Sequence, residues 1–224
     1  MGARLAKQFV FERELWARGV TRVAGVDEAG CGPLAGPVVA AAAILPAQWG
    51  ETGLPRQLKG LTDSKLLTAL QREKFFAFLT ACADVEFAVA QVDAGQIDII
   101  NIFQAAHRAM NEALAQLQPA PAHALVDGRR VKTMTVPQTA IVKGDFKSFS
   151  IAAASVLAKV TRDRFMVEFD RQWPMYGFAD HKGYGTERHL AAIAAHGPCP
   201  IHRRSFAPFR PVQGEMFGSH KSSS

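Results

Sequence analysis

Four acidic residues occupy positions where an ordinary surface carboxylate is out of place. Asp27 and Glu28 end the apolar run RVAGVD and lead into the glycine-rich AGCGPLAGP, Asp127 closes HALVD just before Gly128, and Asp145 follows Gly144 at the opening of a long helical pattern. A carboxylate in apolar surroundings is expensive unless it is paired or bound to a metal. Several together repel one another and hold their protons more tightly. A divalent cation relieves that conflict, and an all-oxygen set suits Mg2+ or Mn2+ rather than Zn2+. Two such ions roughly 3.5–4 Å apart clamp a phosphate, activate a water and steady the departing oxygen. Taken singly, each acid has a plainer reading: Asp145 as a helix N-cap, Asp127-Gly128 as a turn, Asp27-Glu28 as a solvated pair. The pattern alone leaves both readings open.

Other groups carry weaker chemistry. HKGYG at 181–185 sets Tyr184 between two glycines with Lys182 close by, fit for a sugar or base and a phosphate, or equally for a buried tyrosine with a satisfied hydroxyl. Lys143, Lys147, Lys159, Arg162, Arg203 and Arg204 are phosphate contacts or ordinary surface charges. Gly30, Gly32 and Gly36 make neither GxGxxG nor a phosphate-binding loop ending in GK[ST]. His181, His189, His196, Cys199 and His202 invite zinc, but their spacing fits no tight ligand pair. Ser155 lacks a nucleophile elbow. Phe146, Phe149, Phe165 and Phe169, at helical spacing, read as core.

The elements that must position these residues follow from periodicity and punctuation. Helices are expected over 5–17, 68–82, 101–117, 146–171 and 187–196, and strands over 22–27, 37–45, 85–92 and 123–127, with short strand candidates at 131–136 and 139–142. Residues 46–63 read as loop. The small side chains of SIAAASVLAK predict a helix face lying close against a sheet. Alternating strands and helices indicate an α/β fold, in which functional residues gather at the carboxyl ends of strands. Asp27 and Asp127 both fall at such ends.

Length and composition agree with this. The 224 residues, 48% hydrophobic and 21% charged, predict one soluble domain with its own core and exclude a disordered or fibrous chain. Residues 1–128 hold 11 Lys/Arg against 13 Asp/Glu and residues 129–224 hold 15 against 7, so the excess of +6 lies in the second part. A basic region beside a carboxylate cluster suits a polyanionic partner. Three cysteines without a CxxC, and a longest apolar run of eight residues at 38–45, predict a cytoplasmic protein with no membrane span. The tail 214–224 is expected to fray.

Several of these segments together resemble the ribonuclease HII family. The resemblance runs through GVDEAGCGPLAGPVVAAAAIL (25–45), LTDSKLL (61–67), LVDG (125–128), KGDFKSFSIAAASVLAKVTRDR (143–164), HKGYGTERHL (181–190) and HRRSF (202–206), in order, over about residues 20–211. With 26 residues before Asp27, the first of the four candidate catalytic acids, the chain resembles the compact bacterial branch rather than ribonuclease HIII. The resemblance implies a ribonuclease H-like fold: a central mixed five-stranded sheet flanked by helices, with a helical C-terminal region. It implies an endoribonuclease that cuts the RNA strand of RNA–DNA hybrids. It also implies nicking of duplex DNA 5′ of a single embedded ribonucleotide, with Mg2+ or Mn2+, leaving 3′-hydroxyl and 5′-phosphate ends. The family's catalytic, metal-binding acids match Asp27, Glu28, Asp127 and Asp145. Its 2′-hydroxyl-sensing loop matches Gly30, Cys31 and Gly32, and its junction tyrosine matches Tyr184. Ser64, Lys65 and Lys143 are expected to position phosphates, together with Asp63. The family is typically monomeric. Gln213, Met216 and Phe217 loosely resemble peptides that dock on sliding clamps.

Two departures stand out. The family's usual Gly-Arg-Gly is Gly-Cys-Gly here, which removes an arginine side chain and places Cys31, an oxidisable group if exposed, near the metal site. The usual Asp-Ser-Lys-Lys is Asp-Ser-Lys-Leu, with Leu66 in place of a lysine. The competing expectations are another nuclease of the same fold, such as a ribonuclease HI-like enzyme or a junction resolvase, and a non-catalytic nucleic-acid-binding module. A substrate with one embedded ribonucleotide separates the first, and the presence of all four acids argues against the second.

Overall fold

The computed structural model describes residues 8–209. Helix α1 (Val10–Ala17) precedes β1 (Val23–Ala29) and β2 (Val38–Ile44). After a short helix α2 (Trp49–Thr52) and a 3-10 turn (Arg56–Leu58) come α3 (Ala69–Ala81), β3 (Glu86–Val92), α4 (Ala94–Ile100) and α5 (Ile102–Gln116). The chain then forms β4 (His123–Asp127), β5 (Gln138–Ile141), α6 (Gly144–Lys147) and α7 (Phe149–Gln172). A 3-10 turn (Pro174–Tyr176), α8 (Phe178–His181) and α9 (Glu187–His196) follow.

The five strands form one mixed sheet in the order β3-β2-β1-β4-β5. The first three strands pair antiparallel as a meander, and β4 and β5 run parallel to β1. The alanine-rich stretch at 37–45 is a strand because both its faces are covered, a setting in which alternation disappears. All seven residues of β2 are buried. Val38, Ala40 and Ala42 face a core with α5 residues Ala105, Ala109 and Ala113, while Ala41 and Ala43 face a second core with Phe149, Ala152, Ala153 and Leu157 of α7.

Helix α7 lies against β1 at very close range. A Cβ built on Gly25 would stand 2.0 Å from the Ser150 carbonyl carbon. Glycine in β1 and the small residues at the start of α7 are therefore two halves of one contact, as the sequence anticipates. Helix α3 opens with a reciprocal cap: Thr68 accepts the Gln71 backbone N–H, and the Gln71 side chain accepts that of Thr68.

Several expectations need correction. No strand forms at 131–136. Instead the Gln138 side-chain amide bonds both the N–H and the C=O of Val131, at 2.8 and 2.9 Å, and satisfies groups that a strand partner would have taken. The long pattern at 146–171 is two helices, because Ser148 leaves helical geometry to cap Ile151. Phe146 is accordingly exposed rather than core. The stretch 46–63 is not all loop, since it holds α2 and a 3-10 turn, and α4 forms where the sequence predicts no helix. Asp93 caps α4, and Asn101 then turns to φ 66° and caps α5 by accepting the N–H groups of Phe103 and Gln104.

Candidate active site

Parallel pairing of β1 with β4 sets Val26 opposite Val126, so the next residues, Asp27 and Asp127, emerge side by side at the same end of the sheet. Asp145 arrives from α6, whose entry needs Lys143 in the left-handed conformation at φ 56°. Asp127 accepts the Gly144 N–H at 2.6 Å and so holds that turn against β4. Carboxylate oxygens of Asp27, Asp127 and Asp145 all lie within 4.8 Å of one another. Period-two alternation sends Glu28 to the opposite face of the sheet from Asp27. It stands outside that group of three, but close enough to Asp127 to feel its charge.

Electrostatics record the crowding. Burial, then Glu28 and Asp127, raise the Asp27 carboxyl well above its usual value. Burial and Asp127 raise Glu28, and burial, Asp127 and Asp63 push Asp145 up to about 6. Burial works against the Lys65 ammonium, but Asp27, Asp63, Asp145 and Glu28 together outweigh it and hold its pKa above the ordinary lysine value. One lysine does not neutralise this set. Three convergent aspartates, all oxygen donors with too few cations, fit a divalent metal ion.

A cleft of about 200 Å³ opens beside the acids, lined by Glu28, Gly30, Cys31, Gly32, Ser64, Lys65, Ser155, Lys159, Arg162 and Tyr184 among others. The structure thus gathers six of the seven substrate-binding residues expected from sequence. Lys143 is not among the lining residues and is exposed two positions from Asp145. Tyr184 is 46% exposed, and a Cβ on Gly32 would stand 3.6 Å from its Cε1, so the loop and the tyrosine sit side by side on the wall of the cleft. The Cys31 thiol points at Glu28 Oε1, 3.6 Å away, and burial with that carboxylate pushes it up to about 12. Such a thiol is not the reactive group that an exposed cysteine there would be.

Some site residues escaped the sequence reading. Asp63, expected only at phosphates, is buried next to Asp145 and accepts the Lys65 N–H at 2.9 Å. Ser155 Oγ lies 2.9 Å from Ser64 Oγ in a hydroxyl–hydroxyl hydrogen bond, and its own hydrogen bond to Asp27 lowers that pKa. Arg162 and Arg203, expected as phosphate contacts or surface charges, are fully buried and form no ion pair among the described residues. Arg203 donates to the carbonyls of Gly30, Cys31 and Gly36 at 2.6, 3.2 and 3.0 Å. Arg162 donates to those of Pro37, Ala35 and Lys182 at 3.0, 3.1 and 3.1 Å. The two guanidiniums therefore clamp the 30–37 loop to the segment that carries Tyr184. A signal existed in the sequence: Arg162 follows Ala158 and precedes Met166 at four-residue spacing, on a buried helix face.

A mixed sheet of this order, with aspartates converging at the ends of neighbouring parallel strands beside a cleft, defines a metal-dependent phosphodiester hydrolase of ribonuclease H-like fold. The chain belongs to the ribonuclease HII family, whose model matches residues 24–209. The ribonuclease HII of Geobacillus thermodenitrificans is 54% identical over 204 residues, covering 91% of this chain and 75% of that protein. Among solved structures, the ribonuclease H2 of Pyrococcus horikoshii superposes with a TM-score of 0.67 at 30% identity, covering 84% of this chain and 94% of that one. The ribonuclease HII of Archaeoglobus fulgidus, solved in complex with PCNA, has the same fold, with a TM-score of 0.67 at 24% identity over 87% of this chain and 98% of that one. The chain is an enzyme, an endonuclease with ribonuclease H activity. Among the described residues no helix is long and apolar enough to cross a membrane.

Proposed function

We propose that this enzyme cuts the RNA strand of RNA–DNA hybrids and nicks duplex DNA on the 5′ side of a single embedded ribonucleotide, leaving 3′-hydroxyl and 5′-phosphate ends. The observation that carries this reading is the grouping of Asp27, Asp127 and Asp145 beside the cleft that Gly32 and Tyr184 line. Asp27, Asp127 and Asp145, with Glu28 at their edge, would hold Mg2+ or Mn2+; the metal would supply an activated water and a counter-charge for the leaving oxygen. Backbone groups of Gly30, Cys31 and Gly32 contact the 2′-hydroxyl, the atom that separates RNA from DNA. Tyr184 lies against the ribose. Ser64 and Lys65 orient the phosphate at the cleft, and Lys143 contacts the strand farther out.

All four acids come from one chain, which supports a monomer as the active unit. We place the enzyme in the cytoplasm. A sliding clamp as partner rests on the PCNA complex of the Archaeoglobus relative and on Gln213, Met216 and Phe217, which lie outside the described residues.

The test is a 5′-labelled DNA duplex with one ribonucleotide, incubated with Mg2+, Mn2+ or EDTA. A metal-dependent nick directly 5′ of the ribonucleotide is expected, and Asp27→Asn should abolish it while duplex binding persists. Cleavage of a long hybrid with no nick at the single ribonucleotide would overturn the junction reading and leave the metal site standing.

A further inference from the structure

Behind Tyr184 lies a cluster of side chains that the proposed reaction does not use. His189 and His202 are both buried, and their hydrogen-bond partners fix the proton on each ring. The Cys199 backbone N–H donates to His202 Nδ1 at 2.9 Å, so that nitrogen carries no proton. The Cys199 carbonyl oxygen and Sγ lie 3.3 and 3.1 Å from the same nitrogen, both longer than the N–H contact, and the carbonyl accepts the His202 backbone N–H at 3.1 Å. The proton of neutral His202 therefore sits on Nε2, which faces Nε2 of His189 at 3.0 Å. His189 must accept there, which leaves its own proton on Nδ1, 2.8 Å from the Tyr184 carbonyl oxygen. Each assignment forces the next.

The surroundings hold the rings in this arrangement. Phe178 stands edge-on to His189 at 5.4 Å, and Tyr176 edge-on to His202 at 4.9 Å. His181 stacks on His189 at 4.4 Å, accepting the Gly183 N–H on Nδ1 and donating from Nε2 to the Tyr176 carbonyl. Burial lowers the pKa of His189, and burial with His189 lowers that of His202 to about 4, so both are neutral at physiological pH. The cluster is not a zinc site. Cys199 approaches His202 from the Nδ1 side, and the only set of three potential metal-ligand atoms within 4.8 Å among the described residues is the aspartate trio.

We propose that His202 and His189 form a one-way hydrogen-bond relay that positions Tyr184, so that discrimination of a single ribonucleotide depends on the His189 Nδ1–H donor to the Tyr184 carbonyl. This rests on the reading of Tyr184 as the residue against the ribose. The same carbonyl also accepts the Thr186 N–H at 2.9 Å, so the histidine sets its direction rather than its mere satisfaction. Both histidines are positioning residues; neither touches the substrate.

Two substitutions separate the two ring nitrogens. His189→Asn keeps a donor at the Nδ1 position, and His189→Gln keeps only a partner for His202. The readout is the ratio of kcat/KM on a duplex with one ribonucleotide to kcat/KM on a long hybrid. The ratio is expected to fall roughly fivefold to tenfold in His189→Gln, the loss of one hydrogen bond, and to stay within about twofold of wild type in His189→Asn. Long-range 15N NMR of the wild-type protein is expected to show Nδ1–H on His189 and Nε2–H on His202, independently of cleavage. Equal losses on both substrates in both variants, or the opposite tautomers, would overturn the relay. Tyr184→Ala tests the reading beneath it. An unchanged ratio there removes the role of Tyr184 and the relay with it, whereas a fall there without one in His189→Gln removes the relay alone.

Discussion

Asp127 accepts the backbone N–H of Gly144 at 2.6 Å, so the acid at the end of β4 also anchors the turn that delivers Asp145. One side chain thus has a charge role and a structural role, and two substitutions pull them apart. Asp127→Asn keeps an oxygen for the Gly144 N–H and is expected to lose cleavage with little change in stability. Asp127→Ala loses both, with about 1–3 kcal/mol of stability removed for the unpaired N–H. Urea unfolding beside the nicking assay reads the difference; equal stability of the two variants would show that the bond contributes nothing.

The raised carboxyls make the metal-free protein respond to pH in a definite direction. Asp145 holds its proton up to about 6 in the folded state, against an ordinary 3.8, chiefly through burial and secondarily through Asp127 and Asp63. Between those values the folded chain binds more protons than the unfolded one, so this group favours folding as pH falls and that contribution is lost as pH rises through about 6. Metal binding needs the deprotonated acids and runs the other way. The rise in Tm on adding Mg2+ is therefore expected to be large at pH 7.5 and to shrink as pH drops through about 6. Thermal melts with EDTA and with Mg2+ across that range check it; a Mg2+ shift independent of pH would contradict the protonated cluster.

Arg203 sends its donors to three carbonyls of the 30–37 loop from a fully buried position. Removing it strands those carbonyls, and a lysine has one point charge where three directed N–H groups are needed. Arg203→Met and Arg203→Lys are both expected to destabilise the protein, by roughly 2–5 kcal/mol. Denaturant midpoints measure this. A lysine variant as stable as wild type would mean that charge alone, without the fork geometry, holds the loop.

Gly25 is the point of closest approach between sheet and helix. A methyl group there would meet the Ser150 carbonyl carbon at 2.0 Å and the Ile151 nitrogen at 2.3 Å, both backbone atoms that cannot rotate away. Gly25→Ala is expected to lower Tm by more than about 10 °C or prevent soluble expression, since pushing α7 off β1 opens the core on that side. A melt within a few degrees of wild type would show that the two layers can part cheaply.

The sequence makes the acids visible because each ends an apolar strand or opens a helix, and the family motifs place them without geometry. What it hides is depth. Asp63 reads as a phosphate-positioning residue within LTDSKLL because nothing in seven residues says that it packs against Asp145. Arg162 and Arg203 read as phosphate contacts or surface charges because their acceptors are backbone carbonyls, which every sequence has and none displays. Helix α4 is hidden by Gly95 and by Asp93, whose turn-forming habit here serves as a cap. The histidines of the C-terminal segment attract a metal reading by type, and only ring orientation turns them into a relay.

The sheet is assembled from two kinds of connection, and this orders events as the chain folds. Strands β1 and β2 meet through the short loop at 30–37, and β3 follows antiparallel after a 41-residue connection that carries α2 and α3, whereas β4 joins β1 by pairing Val126 with Val26, a closure over 100 residues. Local closures come cheaply and long ones slowly. A chain that has reached only its meander therefore owns a sheet and no reaction centre, because Asp27 has no Asp127 beside it. The capacity to bind metal therefore depends on that long-range pairing.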